Sequence, residues 1–110
     1  MATQEASGTA TITTVGTEQT IATITTAKPF QAFVDITALA AGEYVQIKIK
    51  RKVLAGGVVG TLFDAIYSWL DALMMPVVMT PALLSTQEYD LTLNQLAGTA
   101  RSFPWAVETP

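Results

Sequence analysis

The chain has 110 residues, no Cys and no His, and a formal net charge of −3. Disulfides, thiol catalysis, thiolate metal centres and imidazole chemistry are thereby excluded. The length suits one domain, 1–110, able to bury about 60–70% of its unfolded surface. Charged residues are only 14% of the chain, against about 25% in ordinary domains. Apolar residues are 50% and mean hydropathy is +0.39. A surface so thinly charged is expected to be covered in part by other chains.

In chain order, "MATQEASGTA" has neither the basic nor the apolar region of a secretory leader and is read as a short flexible N-terminus over about 1–8. "TATITTVGTEQTIATITTA" predicts a hairpin: both arms are rich in Thr and Ile, which suit a pleated surface, and Gly16 punctuates the connection. "FQAFVDI" alternates, with Phe30, Ala32, Val34 and Ile36 on one face and Gln31 and Asp35 on the other. Gly42 closes the following loop.

In "EYVQIKIKRKVLAGG", Val45, Ile47, Ile49 and Val53 point one way and Gln46, Lys48, Lys50 and Lys52 the other. Arg51 falls on the apolar parity, which predicts a strand end or a neighbouring bulge. Ala55–Gly57 turns the chain. "TLFDAIYSWLDALMM", Thr61–Met75, fits a helix, with Asp64, Ser68 and Asp71 in one stripe. It also fits a strand with both faces part-covered, and its aromatic and β-branched content favours the strand. "PVVMT" reads as a short strand and "PALLS" as a loop. Tyr89, Leu91 and Leu93 alternate with Asp90, Thr92 and Asn94. "RSFPWAV" is the last strand, and Pro104, which withholds a donor, places it at an edge or a bulge. The sum is all-β: an antiparallel β-sandwich, jelly-roll-like or Ig-like, of seven to eight short strands.

No constellation names a reaction. Ser7, Ser68, Ser85 and Ser102 have no His to act as base. The nine acids are scattered, and Asp64 and Asp71 read best as exposed charges flanking aromatics. "AGGVVG" lacks the Lys–Ser/Thr of a phosphate cradle. Oxygen-only calcium sites need clustered acids. The expectation is a non-enzyme with no cofactor and no metal. The longest near-apolar run, Leu73–Met79, falls far short of the ~20 residues a membrane helix needs, so no membrane partner is expected.

Lys48, Lys50, Arg51 and Lys52 gather four of six basic residues within five positions. Lysines on one side of a strand form a line with about 6.6–6.8 Å between heads. Such a line discourages edge pairing, or it meets an acidic partner surface. It is a poor footprint for direct nucleic-acid binding. Trp69 and Trp105 are core residues or, on a second reading, sugar-stacking platforms. Leu70, Leu73, Met74 and Met75 exceed what a two-layer core absorbs, which marks an interface.

The "VGTEQT" opening followed by a Thr-rich strand (Gly16–Thr20), the "KVLAGG" turn (Lys52–Gly57) and the "AGTARSFPW" ending (Ala97–Trp105) resemble small structural proteins of tailed bacteriophages. The likeness spans nearly the whole chain. Its departure is "VVGTLFDAIYSWLDALMM", where such proteins usually carry a polar, Tyr-rich strand. The resemblance implies a virion component, made in the host cytoplasm and most like a capsid decoration (cement) protein on the capsid surface. Its implied partners are the major capsid protein and further copies of itself, with a trimer as one candidate. The expected contact residues are Lys48, Lys50, Arg51, Lys52, Trp69, Leu70, Leu73, Met74 and Met75. The alternatives are a tail, adaptor or fibre-associated virion protein, or a glycan or cell-surface binding module.

Overall fold

Strand alternation builds two antiparallel sheets that face each other across one core. The computed structural model describes residues 3–25, 28–52, 59–81, 83–84 and 88–109. Among them the elements run β1 (Thr3–Thr11), β2 (Gln19–Ile24), β3 (Pro29–Asp35), β4 (Tyr44–Lys52) and β5 (Val59–Ser68). Then come α1 (Trp69–Met74), β6 (Val77–Met79), β7 (Leu83–Leu84), β8 (Tyr89–Gln95) and β9 (Ser102–Thr109). One sheet has the order β1-β9-β3-β6, with β7 also on β3; the other has the order β2-β8-β4-β5. The chain is an all-β sandwich, with one short helix among the described residues. Two-residue β7 supplies a strand where a loop was expected.

The alternations hold in β3, β4 and β8. Phe30, Ala32 and Val34 of β3, Val45, Ile47 and Ile49 of β4, and Tyr89, Leu91 and Leu93 of β8 are all buried. Fully burying a side chain of this kind contributes about 1.5–3 kcal/mol relative to leaving it exposed. Phe30 and Tyr89 stack across the two sheets, their centroids 3.8 Å apart and their planes 8° from parallel. Burial, with the charge of Glu5, pushes the Tyr89 hydroxyl up to about 12.

Four further expectations are corrected. The Thr-rich arms do not form a hairpin: β1 pairs with β9 in one sheet and β2 with β8 in the other. The segment between them arches from sheet to sheet, tied down where Ile12 donates to the Arg101 carbonyl and Gly16 to the Gln95 carbonyl. Both arms have strand-forming composition, but their partners are distant in sequence. The last strand is central rather than at an edge, because β9 lies between β1 and β3. Pro104 is accommodated because β3 pairs with β9 only over Trp105–Glu108, so the missing donor takes nothing from that ladder. Thr61–Met75 divides: strand to Ser68, helix from Trp69. The stretch read as a flexible N-terminus is paired strand from Thr3 onward.

The β1–β2 arch closes one side of the sandwich. On the other side, α1 connects the edge strands β5 and β6.

Candidate interaction surface

Lys48 and Lys50 stand on the outer face of β4, as alternation requires. Asp64 of β5 lies opposite Lys48, and Asp90 of β8 lies opposite Lys50. Glu18, at the end of the arch, reaches both amines: Lys50 Nζ is 2.6 Å from Oε1 and Lys48 Nζ is 4.0 Å from Oε2. The Lys50 ammonium holds the Glu18 carboxyl below its ordinary value, against the partial burial that would raise it; Lys48 adds to the same pull. Asp64 also accepts from the Gln46 amide at 2.9 Å and Asp90 from the Thr23 hydroxyl at 2.7 Å. The lysine line is therefore one half of a face whose acids lie on adjoining segments of the same chain.

Arg51 is half-buried on the inward parity, near the end of β4, and the β4–β5 ladder shifts register between Ile49 and Lys50. It lines a shallow groove with Gly60, Thr61 and Leu62. Lys52 closes β4 opposite Val59. The Lys52 side chain and residues 53–58, including Val53 and the "AGG" turn, lie outside the described residues.

Residues 68–79 form a different kind of surface. Ser68 caps α1: its hydroxyl accepts from Asp71 N, and Asp71 Oδ2 accepts from Ser68 N at 2.8 Å. This reciprocal pair satisfies donors that the helix start would leave open. Trp69 N also donates to the Glu43 carbonyl. Trp69 and Ala72 turn inward against the core. Leu70, Leu73 and Met74, spaced i, i+3, i+4, share the opposite helix face. Met75 follows, and β6 then presents Val77 and Met79 outward with Val78 buried beneath. These six residues are 55–85% exposed, Met74 the most. Phe33 and Asp35 of β3 lie beside Met79 and Val77.

Trp69, one of the expected contact residues, is partly buried against the core. Trp105 packs there too, and Gly8 makes room for its ring: a Cβ at Gly8 would come within 3.3 Å of the indole nitrogen.

A polar cluster that the sequence reading passed over lies at one end of the core. Glu43 is only 4% exposed. Its carboxylate accepts two bonds from Arg101, Nε to Oε1 and Nη2 to Oε2, both at 3.0 Å. It also accepts from Ala40 N at 2.8 Å and Thr99 N at 3.0 Å. The Arg101 guanidinium, aided by these amides, overcomes burial and holds the Glu43 carboxyl at about 2. Gln95 is fully buried beside it; its amide donates to the Ala97 and Thr99 carbonyls and accepts from Arg101 N. Gly98 has φ +88°, and a Cβ there would collide with the Glu43 side chain. "AGTAR" is thus a loop built to wrap a buried carboxylate. A signal was present: Glu43 continues the inward parity of Val45, Ile47 and Ile49, and Gln95 that of Leu91 and Leu93.

No protein-family model, no curated protein and no solved structure matches the chain. Among the described residues, no helix is long and apolar enough to cross a membrane.

Proposed function

We propose that the chain is a non-enzymatic structural protein of a tailed-phage virion, of the capsid decoration kind. In this reading it attaches to the outside of a shell of major capsid protein and stabilises it. The observation that carries the proposal is the exposed apolar ridge from Leu70 to Met79. The sequence resemblance supplies the setting, and the ridge supplies the physical need: apolar area left open at a sandwich side is stable in an assembly that covers it. A clamp of this kind works by packing area, not by a reactive centre. Lys48 and Lys50 already engage Glu18, so attachment is not expected to hinge on them.

The test is reconstitution. Capsids that lack the chain should bind it saturably, at hundreds of copies per particle, and should then melt at higher temperature. A dozen or fewer copies would move it to the tail. Absence of binding to any particle would remove the reading. Changing both Lys48 and Lys50 to Gln should leave attachment within about threefold of the natural chain; a larger loss would restore the lysine line as the contact.

A further inference from the structure

We infer that the ridge formed by Leu70, Leu73, Met74, Met75, Val77 and Met79 is the contact between copies of this chain in solution, ridge against ridge. The inference deepens the virion reading, which rests on the same ridge: it assigns that ridge to contact between copies rather than to the shell itself.

Three observations select a second copy as the occupant. The first is area. The six residues, each more than half exposed, together open an area of the same order as the roughly 800 Å2 per partner of a standard interface.

The second is charge. From Ala72 to Met79 no side chain is ionisable, and the Asp71 carboxylate is engaged in the Ser68 cap. A patch that meets its own image must not present one sign of charge to itself. The ridge residues themselves carry none, and the carboxylate beside them, Asp35 opposite Val77, is engaged by the Thr37 amide and hydroxyl, on a chain whose net charge of −3 would otherwise set copies apart. An anionic membrane surface is disfavoured by the same facts, since interfacial helices carry Lys and Arg beside their apolar face.

The third is edge chemistry. Pro76 and Pro81 flank β6, and proline blunts an edge against strand addition. On the other sheet, Asp64 stands at the middle of edge strand β5. On the side of the sandwich that carries the ridge, copies are therefore directed to join by side-chain packing rather than by extending β5 or β6.

The experiment is sedimentation equilibrium of the full chain over roughly 1–100 µM, with two variants. The natural chain should show a mass above that of one 11.7 kDa chain. Met74→Glu should raise the dissociation constant at least tenfold while the circular-dichroism spectrum of the sandwich is kept; one buried charge per copy accounts for that factor. Ile66→Glu, an exposed apolar site on the outer face of β5, should leave association unchanged. A natural chain that stays monomeric throughout overturns the inference. So does association that survives Met74→Glu, or that Ile66→Glu abolishes. A monomer that still saturates capsids would overturn this contact and leave the decoration role standing; an assembling chain that ignores capsids would do the reverse.

Discussion

Two places in this molecule most strongly invert the ordinary rule that polar groups face water and apolar groups face inward: the Glu43–Gln95–Arg101 cluster and the Leu70–Met79 ridge. The first buries a carboxylate and a carboxamide and satisfies both from its own loops. The second leaves six apolar residues exposed among the described residues. A buried charge with four donors is complete, and its energetic consequence is internal stability. An open apolar ridge is not completed in this way, and we propose that its consequence lies with another chain. Stability and association should therefore separate cleanly by residue.

The largest effect is expected in the cluster. Glu43→Gln removes the charge that Arg101 and two amides are arranged around and should lower unfolding stability by about 2–4 kcal/mol, measured by urea unfolding. The same carboxyl sets a pH dependence. Its folded value is lowered from an ordinary 4.5 to about 2, so its contribution is present above about pH 4.5 and is lost as pH falls from there towards 2. Natural chain and Glu43→Gln should converge in stability across that window; a constant gap would deny the carboxylate its role.

Gly98→Ala should cost less but still at least about 1–2 kcal/mol, from the left-handed backbone alone, with further loss from the collision with Glu43. A neutral outcome in thermal melting would show that the loop repacks. Smallest is Lys50→Gln on the Glu18 pair, about 0.2–1 kcal/mol and fading with added salt, as partly exposed ion pairs do. A change above 2 kcal/mol there would mean that the charged face is a stability element comparable to the cluster.

Much of the sandwich was legible in the sequence because the buried apolar positions of β3, β4 and β8 obey period-2 alternation; Thr92, buried on the opposite parity of β8, is the exception. Pairing was less so. The Thr-rich arms look alike locally, and nothing in them says that one belongs to β9 and the other to β8. The helix could have been read, since Ser68-Trp-Leu-Asp71 is a capping signature, but the aromatic and β-branched residues before it drew the whole segment towards strand. At the surface, the excess of Leu70, Leu73, Met74 and Met75 was visible, whereas Val77 and Met79 join them only once β6 is placed. Glu18 could not be matched to Lys50 from spacing alone, so the lysine line looked unanswered. Arg101 lies 58 positions from Glu43, and no local pattern joins them.

The central claim is that the ridge is the part of the fold left for other copies to complete. Melting temperature against protein concentration measures it most directly, because association of folded chains stabilises them by mass action. The natural chain should show a Tm that climbs between roughly 1 and 100 µM, and Met74→Glu a Tm that does not move. A Tm independent of concentration in both proteins would contradict the account.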